Sequence, residues 1–269
     1  MTNEESVAKA LHFNSDPLSY NFEDEEIGLE PSVDTSKLLE PKDTPPNSGI
    51  QDHSLFFAVS EDGDNWERSP KGSILKTASV PNLLLLAKDV GDFKAGTLIS
   101  HFVDASEIDD GGEERIGYIT SEDEGATWSD LEIITLDDLP EDFIPVDPSV
   151  VQLEDKRLRL YFFDAAANVN LLKGETADST FYSAVSEDGE TFTFEGEIYS
   201  SDVSIITDPE VFWFEDSWLL YNPAFVKNKP WGPGEGQIQI SKSKDGTNFE
   251  YLTTIDFEGI PGVMVEGGI

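Results

Sequence analysis

Ser121-Glu122-Asp123-Glu124-Gly125-Ala126-Thr127-Trp128 reads as a hairpin turn followed by an aromatic anchor, and shortened copies recur three times. They are Ser60-Glu61-Asp62-Gly63 before Trp66, Ser186-Glu187-Asp188-Gly189 before Phe192, and Ser243-Lys244-Asp245-Gly246 before Phe249. Asp-Gly favours the tight turns that join antiparallel strands, and the short polar side chains satisfy turn amides while the aromatic is buried. Ser-to-Ser spacings of 61, 65 and 57 residues make the chain a repeat array. A period near ~60 with strand-like flanks fits one four-stranded blade of a β-propeller per repeat.

A second mark interleaves with the first. Val80-Pro81, Asp147-Pro148, Asp208-Pro209 and Ile260-Pro261 each open an apolar run. Proline lacks an N–H and is tolerated at the first residue of a strand, so each pair is expected to start an innermost strand, A. Strand B follows at Leu98–Val103, Leu158–Phe163 and Trp218–Tyr221, then a long polar loop, then strand C at Arg115–Thr120, Phe181–Val185 and Gln237–Ser241. The Asp-Gly hairpin turns C into a short edge strand, D. The N-terminal copy holds only C and D, and the C-terminal copy stops after A. Residues 50 to 269 hold only about 3.6 periods of the ~60-residue repeat. The expectation is an all-β fold, a propeller of four-stranded antiparallel blades of the five-bladed type, incomplete in this chain and shortened at its C-terminus. A smaller ring closed in an unusual way is the alternative. The domain reading is an acidic, loosely ordered segment at 1–50, containing Glu23-Asp24-Glu25-Glu26, and a propeller domain at 51–269.

Asp and Glu number 55 against 17 Lys and Arg, a net charge of −38. Nucleic acid and anionic membrane surfaces are electrostatically excluded as general partners. So acidic a surface repels itself at low salt, which points to a salt-adapted protein. The chain has no cysteine, so disulfides and thiolate chemistry do not enter. His12, His53 and His101 are scattered and suggest no zinc site. No cofactor or metal is expected, and the acidic run Asp109-Asp110-Gly111-Gly112-Glu113 reads as a solvated loop before it reads as a calcium site. The first 20 residues lack a basic start and an apolar core, and no segment reaches the ~20 apolar residues of a membrane helix. A cytoplasmic monomer is the simplest expectation, with secretion open if the start is incomplete.

The hairpin motif resembles the Asp box of sialidase-like propellers, matched fully by residues 121–128. In that family the box lies on the periphery, opposite the active face. Sialidases also need three arginines to clamp a substrate carboxylate. Here Arg68, Arg115, Arg157 and Arg159 are the only arginines and no Arg-Ile-Pro occurs, so cleavage of sialic acid is not expected.

Asp147-Pro148-Ser149-Val150 with Leu158–Phe163, and Asp208-Pro209-Glu210-Val211 with Trp218–Tyr221, are similar to the blades of five-bladed glycosidases of the arabinanase, xylosidase and fructosidase type. That resemblance implies Asp147 as general base or nucleophile and Asp208 as the carboxylate that tunes pKa and orients substrate. It also implies a general acid Glu in a Glu-Gly-Pro context, to which Glu258-Gly259-Ile260-Pro261 comes nearest. Independently, if strand A begins at the upper rim and B returns to it, Asp104 and Asp164 join Asp147 and Asp208 there. Crowded carboxylates raise one another's pKa and separate acid from base roles. The competing reading of each Asp-Pro is a local acceptor for backbone N–H groups. Asn168 in one B-to-C loop could donate to sugar hydroxyls. Trp231 in the next is a stacking platform for a sugar ring or a plug of the central channel. Three functions remain open: a glycosidase-related propeller acting on or binding carbohydrate at its central pocket, a non-catalytic binder of sugar or another small polar solute, and a structural propeller. Carbohydrate or a small polar ligand is the expected partner.

Overall fold

The computed structural model describes residues 49–63, 65–68, 72–172, 177–226 and 236–255. Glu258, Trp231 and the Ile260-Pro261 mark lie outside them. The described residues fall into two compact units. One contains Ala58–Glu67, and the other contains Gly49–Phe57 and the chain from Arg68 onward.

Strands follow in the order β1 (Ser54–Leu55), β2 (Ala58–Val59), β3 (Glu67–Arg68), β4 (Leu75–Lys76), β5 (Ala78–Leu85), β6 (Leu98–Asp104), β7 (Arg115–Ser121), β8 (Glu132–Ile133), β9 (Thr135–Asp137), β10 (Pro145–Gln152) and β11 (Leu158–Asp164). Helix α1 (Ala165–Leu172) comes next, then β12 (Ser179–Ser186), β13 (Thr191–Ser201), β14 (Ser204–Ile206), β15 (Glu210–Phe214), β16 (Ser217–Val226), β17 (Gly236–Ser243) and β18 (Glu250–Ile255). In the larger unit three sheets repeat the A-B-C-D plan as antiparallel meanders: β5-β6-β7-β8, β10-β11-β12-β13, and β14/β15-β16-β17-β18. The second blade gains a fifth strand, because β9 in the connector lies parallel to the outer edge of β13. Ahead of the first blade, β1 pairs antiparallel with β4.

The strand B sequences are near-continuous apolar runs because both faces of a blade are covered. Along β11 the side chains alternate between two cores. Leu158, Leu160 and Phe162 join Ile99, Ile116 and Phe192 in the layer shared with the first blade. Tyr161 and Phe163 join Val211, Leu220 and Phe249 in the layer shared with the third. Each fully buried Leu or Phe contributes about 1.5–3 kcal/mol, so these two layers hold neighbouring blades together.

The four Asp-Gly hairpins close alike. In the longest, Gly125 N donates to Ser121 Oγ at 2.9 Å, Thr127 N to Asp123 Oδ1 at 2.8 Å, and Trp128 Nε1 to Gly125 O at 3.1 Å. Gly63, Gly189 and Gly246 donate in the same way to Ser60, Ser186 and Ser243. Hydrogen bonds from Thr127 hold the Asp123 carboxyl below its ordinary range, and the Thr247 amide does the same first for Asp245. The turn of the third blade also leans on the blade before it. Arg159 Nη1 and Tyr161 OH, both on β11, donate to Asp245 O at 3.1 Å and Gly246 O at 3.0 Å.

Among the described residues the three Xaa-Pro pairs do not open strand A, and here the sequence expectation needs correcting. Val80-Pro81 lies two residues inside β5, Asp147-Pro148 two residues inside β10, and Asp208-Pro209 separates β14 from β15, which share the partner β16. At each pair strand A carries one residue more than its partner. Val146 faces Phe163 and Ser149 faces Tyr161, Ser79 faces Val103 and Asn82 faces His101, Ile206 faces Ala224 and Glu210 faces Tyr221. This is a β-bulge, and proline suits it because the extra residue has no ladder bond to donate. The residue before each proline is left-handed, with φ of 48° at Val80, 54° at Asp147 and 49° at Asp208. A non-glycine residue held there costs about 1–3 kcal/mol, and such strain clusters at functional positions.

Candidate functional site

Strand β10 packs against both β5 and β15, so the innermost strands of three successive blades stand side by side. The bulges put Val80, Asp147 and Asp208 at equivalent positions along them, and the residues after each proline are Asn82, Ser149 and Glu210. Asn82 and Ser149 tie the inner strands together. Asn82 Oδ1 accepts from Val150 N of the second blade at 3.0 Å, and Ser149 Oγ accepts from Val211 N of the third at 3.0 Å. The Asn82 side chain favours the charged form of Glu210. An oxygen-bearing side chain after the proline thus fastens the first blade to the second and the second to the third.

Glu210 is the residue that sequence reasoning missed. Burial pushes its carboxyl up to about 7, and the Asn82 amide opposes that rise without cancelling it. Its signal was present as the departure of Asp208-Pro209-Glu210 from Val80-Pro81-Asn82 and Asp147-Pro148-Ser149, an ionisable group where the other copies carry neutral ones. Asp147 and Asp208 are half-buried at the bulges. Asp208 stands two residues from Glu210 in the same inner segment.

The other carboxylates of the rim hold backbone and loops. Asp164, 7% exposed, accepts from Ala166 N at 3.0 Å and Ala167 N at 3.3 Å, capping α1, and from Ile144 N at 3.0 Å at the entrance to β10. Asp104, 1% exposed, binds Arg115 Nη2 at 2.6 Å and Ser106 Oγ at 3.0 Å, fastening the ends of β6 and β7. Their partners are Ser106 and α1 from the B-to-C connections, Arg115 at the start of β7 and Ile144 ahead of β10. Both residues close strand B, as expected, yet their oxygens are engaged away from the bulges.

Asn168 lies on α1 and is buried. Its Nδ2 donates to Ile206 O at 3.1 Å and its Oδ1 accepts from Ser179 Oγ at 2.8 Å, while Ile206 N donates back to Ser179 Oγ at 3.0 Å. This buried network clamps the backbone two residues before Asp208, so Asn168 positions the third bulge from the second blade.

A cavity of about 490 Å³ opens beside the first and second blades, lined by Glu114, Arg115, Ile133, Leu136, Leu139 and Phe143 among others. Burial raises the Glu114 carboxyl there. The lining includes neither Asp147, Asp208 nor Glu210, so this apolar cleft is separate from the inner-strand carboxylates. Among the described residues no group of three His, Asp or Glu side chains is disposed to hold a metal ion. No described helix is long and apolar enough to cross a membrane.

No protein-family model matches the sequence, and no curated protein does. Solved structures do resemble the fold. A GH93 alpha-L-arabinofuranosidase of Fusarium graminearum, in complex with arabinobiose, superposes with a TM-score of 0.50 at 16% identity, over 74% of this chain and 58% of that one. An alpha-L-arabinanase of Penicillium chrysogenum, complexed with arabinobiose, gives a TM-score of 0.50 at 16% identity, over 74% of this chain and 59% of that one. This chain thus spans less than two thirds of the length of either structure. The protein is an all-β propeller, of an architecture that glycoside-cleaving enzymes also use.

Proposed function

We propose that this propeller acts on carbohydrate at the inner ends of its blades, with Asp147 as base or nucleophile and Asp208 as the carboxylate that orients substrate and tunes its neighbours. The observation that carries the reading is the repeated bulge. The same one-residue insertion and left-handed backbone present an aspartate at the equivalent position of two adjacent inner strands, and valine in the third copy. A purely structural bulge needs no carboxylate, as Val80 demonstrates. Hydrolysis of a glycoside needs two carboxyl groups in different protonation states, at separations of ~5–9.5 Å. Arabinobiose in both similar structures makes pentofuranosides the first substrates to try.

Release of p-nitrophenol from a panel of pentoside and hexoside substrates tests the proposal. Asp147→Asn is expected to lower turnover by about 10²–10⁴-fold, the range supplied by a positioned acid or base. Asp208→Asn is expected to lower it less and to shift the pH optimum. Unchanged turnover in both variants, or none in the parent protein, refutes the assignment.

A further inference from the structure

We propose that the cleft beside the first and second blades binds a small hydrophobic amine, a protonated nitrogen that carries an aryl or branched alkyl group. Glu114 pairs with the nitrogen, and the connector from β8 to β10 houses the apolar body. The inference is independent of the carbohydrate reading, since the lining includes neither Asp147 nor Asp208.

The fold fixes the apolar walls. Ile133 closes β8, Leu136 lies in β9, and Leu139 and Phe143 follow on the way to Pro145, the first residue of β10. The β9 strand is held in a parallel ladder along β13, Ile134 N donates to Ile116 O at 3.1 Å, and Phe143 stands edge-on to Tyr182 with ring centroids 5.0 Å apart. The cleft is therefore formed in advance, and its volume of about 490 Å³ falls within the ~300–1,000 Å³ of small-molecule sites. A second hollow of about 450 Å³ shares Gly112, Glu113 and Glu114 with it and runs to Ile144, Ala165 and Val169. Ile133 and Val169 are 37% and 46% exposed, one on each hollow, so both keep apolar surface open to a ligand.

The polar side of the cleft selects the charge of that ligand. Glu114 lines both hollows and is half-buried. Burial alone raises its carboxyl, which sets the group itself against apolar atoms, and among the described residues no donor or cation pairs with it. The neighbouring cation is already committed. Arg115 Nη2 binds Asp104 Oδ2 at 2.6 Å and Arg115 Nη1 binds Glu107 Oε1 at 2.9 Å. One guanidinium thus serves two carboxylates before Glu113 and Glu114 are counted, and the local charge is negative. A carboxylate in an apolar wall gains most from an ammonium that brings its own apolar surface, because the pair then forms shielded from water. A bare cation leaves the walls unfilled, and a neutral apolar solute leaves the carboxylate unpaired.

Isothermal titration calorimetry of the whole chain with phenethylammonium chloride tests the proposal, run beside 2-phenylethanol, methylammonium and phenylacetate. Phenethylammonium is expected to saturate one site with a Kd on the order of 0.1–1 mM. The alcohol and methylammonium are expected to bind at least about tenfold more weakly, the former for want of a charge-assisted hydrogen bond and the latter for want of apolar area. Binding of phenylacetate in place of the amine overturns the proposal, since it assigns the cleft to anions held through Arg115, whose Nε is buried and without a partner. Glu114→Gln is expected to weaken the amine about tenfold or more while leaving the alcohol unchanged. Leu136→Trp, which fills the cleft with an indole, is expected to weaken both. Methyl NMR shifts at Ile133, Leu136 and Leu139 on addition of the amine fix the place of binding. Equal affinity in Glu114→Gln and parent, equal affinity for amine and alcohol, or methyl shifts confined elsewhere each overturn it. Uptake that never saturates and disappears in parent and variant alike at ~1 M KCl is diffuse attraction to the net charge of −38, and overturns it too. If Leu136→Trp fails to fold, the near-isosteric Glu114→Gln and the ligand series on the parent still decide.

Discussion

Gly91 is where the first blade meets the hairpin turn of the second, and replacing it with alanine should expose how much that contact contributes. A Cβ built on Gly91 would lie 2.5 Å from Asp188 O and 2.8 Å from Asp188 Cα, backbone atoms that cannot swing aside, and Gly91 has φ of 53°. Left-handed backbone costs alanine about 1–2 kcal/mol, and forcing extra volume into a packed contact costs a further ~1–3 kcal/mol. Gly96 provides the control. Its φ is 93°, yet a Cβ there meets nothing within 4 Å. Gly96→Ala should therefore show the backbone penalty alone, about 1–2 kcal/mol, and Gly91→Ala about 3–4 kcal/mol. At roughly 3 °C per kcal/mol for a domain of this size, melting should fall by about 10 °C in Gly91→Ala and about 4 °C in Gly96→Ala. Circular dichroism melts and urea titrations read both. Equal losses in the two variants would refute the reasoning, because they would mean that the approach of the blade to the turn carries no energy.

His101 is fully buried with both ring nitrogens unpartnered, and burial holds its pKa down to about 3 from 6.5. The unfolded chain takes up a proton that the folded state refuses, so stability is full above pH 6.5 and falls as pH drops, by about 2 kcal/mol at pH 5. His101→Leu should abolish that slope between pH 6.5 and 5 in urea titrations, and an unchanged slope would show that the histidine is not its source. Arg159 binds both oxygens of Glu195 at 2.8 and 3.1 Å and also the Asp245 carbonyl. Arg159→Met should cost about 3 kcal/mol, with part restored by adding Glu195→Gln, and a cost within experimental error would discount the tie. Finally, the net charge of −38 leads to a melting temperature that rises steadily from low salt to 1 M KCl, where the Debye length shrinks to ~3 Å. A flat response would remove the case for salt adaptation.

The blade plan was legible because its punctuation is local. Ser-x-Asp-Gly and the aromatic after it encode one turn, and four copies at a near-constant period announce the repeat. The bulges were misread for an equally physical reason. Proline at a strand start and proline at a bulge look alike until the register shows three residues spanning what two span on the partner. The roles of Asp104 and Asp164 were hidden because the ion pair of Asp104 with Arg115 across two strand ends, and the return of α1 to Asp164, are contacts that no periodicity records. The helix itself had a signal in Ala165-Ala166-Ala167, since alanine is the strongest helix former, directly after a capping aspartate. Glu210 was hidden because the repeat is marked by the residue-proline pair, while the residue after it differs in each of the three described copies.

The fastening between inner strands asks only for an oxygen, and asparagine and serine both meet that demand at successive turns of the repeat. The propeller thereby keeps a socket whose chemistry can be exchanged while its mechanical duty is preserved. A lineage built on this plan could move from inert scaffold to reactive centre, and back again, by altering one side chain per blade without rebuilding the wheel around it.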